Sequence, residues 1–149
     1  MAHYTENRKV YFNYEILEKY EAGIELLGIE VKSIRNGKMS LEGAFVIIRG
    51  GEAFLINANI PPYQPNNAPK DYDPLRNKKL LLTKKEIATL AGSEKNKSLT
   101  IVPISVYNKG RKIKVEIALV KGKKKQDKRE TIKKRETDRE IRREIRSKE

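Results

Sequence analysis

The chain of 149 residues contains no cysteine and no tryptophan, and His3 is its single histidine. Without cysteine, disulfides, thiolate metal sites and thiol nucleophiles are excluded. One histidine in a terminal segment cannot supply a Ser-His-Asp triad or a histidine-pair nuclease centre. No apolar run approaches the roughly 20 residues that span a bilayer. These absences favour a binding protein over an enzyme, and no pattern in the sequence implies a cofactor or a resident metal.

Acidic charge and apolar residues are both scarce at the C-terminal end. The last 29 residues hold 14 Lys or Arg against 7 Asp or Glu, no aromatic residue, and only Ile132, Ile141 and Ile145 as sizeable apolar groups. Such a segment cannot bury enough apolar surface to offset its ordering entropy. We therefore predict a folded body over residues 1–120 and a basic tail over residues 121–149 that is disordered when free.

The net charge of +13 calls for a polyanionic partner. The tail has no apolar face for a membrane surface, and RNA fits a basic arm beside a compact body better than DNA does. The segment Met1 to Tyr4 does not begin like a signal peptide, so we expect a cytoplasmic protein. We also expect a monomer.

The N-terminal half gives two less regular signals. Asn13 to Gly23 reads as a short helix, because Ile16, Leu17 and Tyr20 share a helical face. From Ile24 to Val31 the apolar residues follow a period of two that changes parity beside Gly28. That change predicts a strand with a β-bulge, which would point Glu30 and Lys32 outward.

Later segments are clearer. Two pairs of apolar runs predict hairpins: 44–48 with 53–60 across Gly50-Gly51, and 99–107 with 112–120 across Asn108-Lys109-Gly110. A capping box beginning at Thr83 predicts a helix that stops at Gly92. Together these elements predict a mainly β protein, an OB-like antiparallel six-stranded barrel with two short helices.

Aromatic and charged residues in and beside the proline-rich loop from Pro61 to Pro74 are candidates for chemistry. Tyr63 and Tyr72 can stack on unpaired bases or pack on the barrel, and the residues alone leave both readings open. Asp71 and Asp73 offer oxygen ligands for Mg²⁺, but turn formation is the commoner role of such aspartates. Basic clusters before the first helix and after the loop predict a phosphate-tracking surface, and they comprise Arg8, Lys9, Arg76, Lys78 and Lys79.

Particular motifs resemble those of the SmpB (SsrA-binding protein) family. They occur in order along nearly the whole chain: Asn7-Arg8-Lys9, EAGI at 21–24, Gly28-Ile-Glu-Val-Lys-Ser at 28–33, Asp73-Pro-Leu-Arg at 73–76, and Asp127-Lys-Arg at 127–129. The resemblance implies an OB-like barrel that binds the tRNA-like domain of transfer-messenger RNA (tmRNA) and delivers it to stalled ribosomes in trans-translation. It also implies a tail that enters the decoding centre of the small subunit and becomes helical in the empty mRNA channel.

The resemblance further implies two sets of binding residues. The set expected on tmRNA is Asn7, Arg8, Lys9, Glu30, Lys32, Arg35, Tyr63, Arg76 and Lys79. The set expected in the decoding centre and mRNA channel is Lys123, Lys124, Asp127, Lys128, Arg129, Arg139, Arg142, Arg143 and Arg146. The sequence departs from the family pattern at Ile29, at Asp71-Tyr72 and at Gln126.

Two alternative functions remain at this point. One is an OB-fold ribosomal protein or initiation-type factor that holds ribosomal RNA without a second RNA. The other is a Mg²⁺-dependent nuclease that uses Asp71, Asp73 and Glu30.

Overall fold

A computed structural model of the chain describes residues 3–64, 66 and 69–122. Its elements in chain order are strands β1 (His3–Glu6), β2 (Tyr14–Ile24), β3 (Phe45–Arg49), β4 (Glu52–Ile56), β5 (Lys78–Leu81), β6 (Leu99–Lys109) and β7 (Lys112–Gly122), with helices α1 (Lys9–Asn13), α2 (Gly28–Arg35) and α3 (Lys84–Glu94). Six strands pair antiparallel in a closed ring, in the order β6-β3-β4-β5-β2-β7 and back to β6. The predicted OB-like barrel is confirmed. Strand β1 is a seventh strand outside the ring, paired with the distal half of β6, and α1 is a third helix that sequence patterning did not indicate.

The β6–β7 hairpin is the longest-paired element and follows the predicted alternation. Val115, Ile117 and Leu119 point into the barrel core, where Ile101 and Val106 of β6 meet them. The outer face of this hairpin carries a second apolar cluster, formed by Val102, Ile104, Ala118 and Val120 under Val10 of α1. Burial on both faces explains why β6 reads as a nearly continuous apolar run.

The predicted helix over Asn13 to Gly23 is wrong, because this segment is strand β2. It pairs with β7 from Tyr14↔Gly122 to Gly23↔Lys114, with a register shift between Ile16 and Glu18. Before the shift Ile16 packs on the outer cluster, and after it Tyr20 and Ala22 face the core. The bulge thus changes the face that even-numbered residues occupy, and the resulting mixed period imitates a helix.

The predicted bulged strand over Ile24 to Val31 is wrong beyond Ile24. Residues 28–35 form helix α2, whose Glu30, Ser33 and Ile34 are fully buried at helical spacing. The Glu30 carboxylate accepts a hydrogen bond from the Leu27 N–H at 2.7 Å and so caps the helix start. The alternation of Leu27, Ile29 and Val31 was therefore only local, and it concealed the helical period of the buried residues.

The turns and the last helix largely follow their sequence signals. Gly50 and Gly51 adopt positive φ values of 58° and 75° in the β3–β4 turn, as the hairpin prediction requires. Thr83 Oγ1 accepts from the Glu86 N–H and the Glu86 carboxylate accepts from the Thr83 N–H, which confirms the capping box. The predicted stop at Gly92 is wrong, since α3 continues to Glu94, whose carboxylate accepts from the Ile48 N–H of β3 at 2.7 Å. Leu90 of α3 is fully buried in the barrel core.

Strand β7 extends to Gly122, two residues past the predicted boundary between body and tail. The division of the chain into body and tail stays a prediction. All nine tail residues expected in the decoding centre and mRNA channel, Lys123 to Arg146, lie outside the described residues, as does the predicted order of the tail. No helix in the described ranges has the length and apolarity to cross a bilayer.

Candidate nucleic-acid interface

A groove of about 370 Å³ lies where the tip of the β6–β7 hairpin meets α2 and the end of β5. Its basic side chains are Arg35 of α2 and Arg111, Lys112 and Lys114 of the hairpin. Its remaining lining is apolar or glycine, and includes Ile24, Leu26, Val31, Leu81 and Ile113. None of the described lining residues is acidic. A surface that combines cations with apolar groups suits RNA, because phosphates and base or ribose faces can be bound side by side.

The four cations of this groove have no ion-pair partner among the described residues. Across the described part of the chain, no carboxylate forms an ion pair with Arg35, Arg111, Lys112 or Lys114. The nearby Glu21 carboxylate accepts hydrogen bonds from the Tyr107 hydroxyl and, at 3.0 Å, from the Lys109 ammonium. These two bonds hold the pKa of Glu21 below its usual range. Lys114 also attracts the Glu21 carboxylate through space but forms no ion pair with it, so its ammonium can still bind an external anion.

Among the described residues the three most exposed large apolar side chains are leucines, and one of them, Leu81, lines the groove. Leu27, Leu75 and Leu81 are 47%, 49% and 50% exposed. Antiparallel pairing of β5 with β2 aligns Gly23 with Leu81, and the Glu25 N–H donates to the Lys79 carbonyl at 2.9 Å. A side chain at position 23 would meet the Leu81 Cβ at 3.2 Å, so glycine lets the two strands approach closely at the groove wall.

Arg76 is a further, partly exposed cation on this surface, and the buried Glu30 carboxylate holds its guanidinium in place. The prediction that Glu30 points outward is wrong, because its side chain is fully buried. Its Oε1 accepts from Arg76 Nη2 at 2.6 Å as well as from the Leu27 N–H. The Arg76 side chain is 35% exposed. A contact of Glu30 with RNA is therefore indirect at most, through the guanidinium that it orients.

Tyr63 lies beyond the C-terminal end of α2. The Lys38 ammonium lies 5.5 Å from the centre of its ring and donates to its carbonyl at 3.2 Å. The ring is partly exposed, and its stacking on an unpaired base stays a prediction. Tyr72 instead packs inward: its hydroxyl donates to the Ile60 carbonyl at 2.6 Å, and burial raises its pKa to about 12. For Tyr72 the packing reading is the correct one.

The nine residues expected on tmRNA do not form one surface. Arg35 lines the groove, while Lys32, Arg76 and Lys79 lie outside its lining on α2, before β5 and on β5. The Lys79 ammonium pairs with the Glu52 carboxylate at 3.1 Å. Asn7, Arg8 and Lys9 lie beside α1, where Asn7 donates its backbone N–H to Ile104 and its side-chain amide to the Leu41 carbonyl. Arg8 pairs with Glu6 and Lys9 with Glu42. Val120, in the cluster beneath α1, lies six positions after Lys114 along β7, about 20 Å at 3.3 Å per residue.

Sequence patterning missed Leu81 and the three hairpin cations, Arg111, Lys112 and Lys114. A signal for the cations existed: Lys112 and Lys114 alternate with core residues on β7, so their side chains leave the barrel on its outer face. No comparable signal identifies Leu81. Its exposure follows from the position of β5 at the groove, which only the sheet order reveals.

The carboxylates proposed for a nuclease do not assemble. Glu30 is buried against Arg76, and Asp73 Oδ1 accepts from the Leu75 N–H at 2.9 Å in a local turn. Among the described residues, no group of three or more His, Asp or Glu side chains is arranged to hold a metal ion. The turn-forming interpretation of Asp73 is supported.

The chain is similar to known proteins over most of its length. The family model for SmpB protein matches residues 4–147. An SsrA-binding protein from Gloeothece citriformis is 51% identical over 139 residues, covering 93% of this chain and 90% of that protein. One from Mesoplasma florum is 56% identical over 133 residues, covering 89% of each.

A solved structure described as "tmRNA-SmpB: a journey to the center of the bacterial ribosome" contains a chain that is 42% identical, with a TM-score of 0.68. The match covers 86% of this chain and 93% of that one. The agreement in sequence therefore extends along almost the full length and is matched by agreement in fold. The chain belongs to the SmpB family.

Proposed function

We propose that this protein is a non-enzymatic, cytoplasmic tmRNA-binding factor of trans-translation, which binds the tRNA-like domain of tmRNA and delivers it to stalled ribosomes. The observation that carries the proposal is the groove lined by Arg35, Arg111, Lys112 and Lys114, which has no carboxylate among its described lining residues. Its relatives are named SsrA-binding proteins, and the similar solved chain is described together with tmRNA and the ribosome.

In this proposal the groove and its surroundings form the tmRNA contact. Phosphates bind the groove cations together with Lys32, Arg76 and Lys79, while ribose or base faces pack on Leu81 and the neighbouring apolar wall. Tyr63 stacks on an unpaired base. Asn7, Arg8 and Lys9 contact RNA from the α1 side, at a separate patch.

The tail residues from Lys123 to Arg146 are proposed to bind ribosomal RNA in the decoding centre and the empty mRNA channel. Support for this role comes from the sequence, since residues 123–149 carry 13 Lys or Arg and only 7 Asp or Glu. Ribosomal RNA phosphates would neutralise that excess charge and allow the tail to become helical.

The test is binding of the isolated tRNA-like domain to Arg35→Gln and Lys114→Gln over a series of salt concentrations. Each substitution should weaken binding and lower the slope of log affinity against log salt by about 1, because one phosphate contact is lost. Lys95→Gln is the matched control, since Lys95 is an exposed cation after α3 and away from the groove. Equal losses in all three variants would mean that only total charge matters, and the groove would be the wrong site.

The same preparation discriminates between the alternative functions. Stable binding of ribosomal RNA, with no preference for the tRNA-like domain, would favour a ribosomal protein or initiation-type factor. Cleavage of labelled RNA on addition of Mg²⁺ would favour a nuclease.

A further inference from the structure

Lys78 is the largest fully buried side chain among the residues that the structure describes, and it lies at the first position of β5. Its ammonium donates to the Ala58 carbonyl at 2.6 Å and to the Pro74 carbonyl at 3.2 Å. Both acceptors are uncharged. No described carboxylate forms an ion pair with the ammonium.

A buried ammonium without an ion-pair partner is an expensive core residue. Desolvation lowers the pKa of Lys78 to about 8, and apolar residues of similar volume often replace buried charges at no cost in stability. The neighbours of Lys78 in the strands, Leu55 and Leu80, are fully buried apolar residues. Lysine at this position is therefore not explained by core packing alone.

The two carbonyls that Lys78 binds flank the proline-rich loop. Ala58 precedes the loop and Pro74 ends it, so one ammonium joins the two ends of the segment that carries Tyr63. Two further bonds close the same base: the Ile60 N–H donates to the Pro74 carbonyl at 3.0 Å, and the Tyr72 hydroxyl donates to the Ile60 carbonyl. Ser33 of α2 donates its hydroxyl to the Pro61 carbonyl at 2.6 Å.

The closure at Pro74 also determines where Arg76 is placed. Two residues after Pro74, the guanidinium meets the Glu30 carboxylate, and the Arg76 N–H donates to the Asp73 carbonyl at 3.1 Å. A backbone that is fixed at position 74 limits the positions that the Arg76 side chain can reach. Loop and guanidinium therefore share Lys78 as one of their internal anchors.

We infer that Lys78 is a positioning residue of the RNA-binding surface, which holds the Tyr63 loop and Arg76 in their binding arrangement through its bonds to Ala58 and Pro74. This role rests on the proposed tmRNA binding. Lys78 is fully buried and does not contact RNA itself, but in this role it contributes to RNA affinity.

Lys78→Met tests the inference, because methionine keeps most of the volume and removes the donors. We expect affinity for the tRNA-like domain to fall by about tenfold, since the loop and Arg76 must then be ordered on binding. The melting temperature should stay within a few degrees of the wild-type value, because removing a buried charge offsets the lost hydrogen bonds. Hydrogen exchange should accelerate at residues 59–64 and 69–76 while β6 and β7 remain protected. Lys85→Met, on the exposed face of α3, is the control for loss of one charge.

A pH series gives a readout that packing alone would not move. The groups that face Lys78 are Glu30 of α2 and Asp73 and Arg76 beside the loop, and Tyr72 titrates only near 12. The affinity of the wild-type protein for the tRNA-like domain should decrease as pH rises through about 8. At that pH Lys78 loses its proton and its charge-assisted hydrogen bonds weaken. The Lys78→Met variant should show no such step.

Stability should move in the opposite direction. Because the folded-state pKa is depressed below the ordinary 10.5, the unfolded chain binds more protons between the two values. The unfolding free energy of the wild type should therefore rise, relative to that of Lys78→Met, as pH increases from about 8 to about 10.

Unchanged RNA affinity and unchanged loop exchange in a folded Lys78→Met protein would overturn the inference. If that variant does not fold, Tyr72→Phe is the second test, because it removes one hydrogen bond of the same loop closure and keeps the ring. Wild-type RNA affinity and wild-type loop exchange in Tyr72→Phe would then overturn the inference. Failure of the wild type itself to bind the tRNA-like domain would instead refute the proposed function.

Discussion

At the scale of single residues, the buried charges determine how this surface is presented. Glu30 is fully buried and its Oε1 serves two donors, the Leu27 N–H that begins α2 and the Arg76 guanidinium that reaches the surface. A single carboxylate therefore couples the start of a helix to the direction of a cation. Removing it leaves a buried guanidinium edge without its partner, which is among the more damaging changes available in a folded domain.

Glu30→Gln should lower the free energy of unfolding by about 2–3 kcal/mol, because the ion pair with Arg76 is lost and the α2 cap weakens. Affinity for the tRNA-like domain should fall as well, since Arg76 is no longer held. Urea unfolding and RNA titration measure the two effects. Glu25→Gln makes the same charge change at an exposed neighbouring position and should shift stability by no more than about 0.5 kcal/mol. Equal stability of the two variants would contradict the buried role of Glu30.

The sequence identified Glu30 as a residue of interest but not the direction of its side chain. Its motif at 28–33 marked it, whereas its orientation depends on whether the segment has a period of two or 3.6. Within eight residues the apolar pattern fits both periods, and the deciding contact, Arg76 Nη2, lies 46 positions away in the chain. Long-range partners of this kind are not encoded in local periodicity.

At the scale of elements, the parts that were predictable are those whose signal is purely local. The capping box of α3 and the Gly50-Gly51 turn depend on a few adjacent residues and form as expected. Strand β2 was missed because its bulge, between Ile16 and Glu18, follows from pairing with β7. The groove at the hairpin tip was missed for the same reason, since α2, β5 and β7 meet only through the sheet order.

Substitutions at two glycines test the local conformations of the β3–β4 turn and of the last turns of α3. Gly51 adopts φ of 75° in the β3–β4 turn, so Gly51→Ala should cost about 1–2 kcal/mol of stability through left-handed backbone strain. Gly92 lies inside α3 with no atom within 4 Å of an added Cβ. Gly92→Ala should therefore stabilise the protein by about 0.5–1 kcal/mol, as alanine does in a helix. Chemical denaturation of both variants measures the pair, and destabilisation by Gly92→Ala would indicate that the helix ends there after all.

At the scale of the whole molecule, the barrel separates two ends. The groove is at the tip of the β6–β7 hairpin, while Gly122 at the other end of β7 pairs with Tyr14. Gly122 lies eight positions after Lys114 along the strand, about 26 Å at 3.3 Å per residue. The proposed RNA groove and the point where the predicted tail leaves the body therefore lie at opposite ends of β7. This arrangement suits a protein that must hold one RNA while its tail tests another site.

Truncation after Gly122 tests that division of labour. The shortened chain keeps every strand pair of β7, so its melting temperature should stay within a few degrees of the full-length value. It should still bind the tRNA-like domain through the groove, with a shallower salt dependence, because residues 123–149 carry 13 basic and 7 acidic groups. Peptide tagging on stalled ribosomes should fail, since nothing remains to enter the empty mRNA channel.

Truncation after Val120 is the matched control for the boundary itself. It removes Lys121 and Gly122, which pair with Glu15 and Tyr14 of β2, and Lys121 also pairs with Leu99 of β6. The end of β2 loses its partner, so this chain should be less stable than the one that ends at Gly122, although both lack the tail. A chain ending at Gly122 that unfolds would show that the body needs the tail for stability. One that folds and still supports tagging would show that the tail is not the sensor of the empty channel.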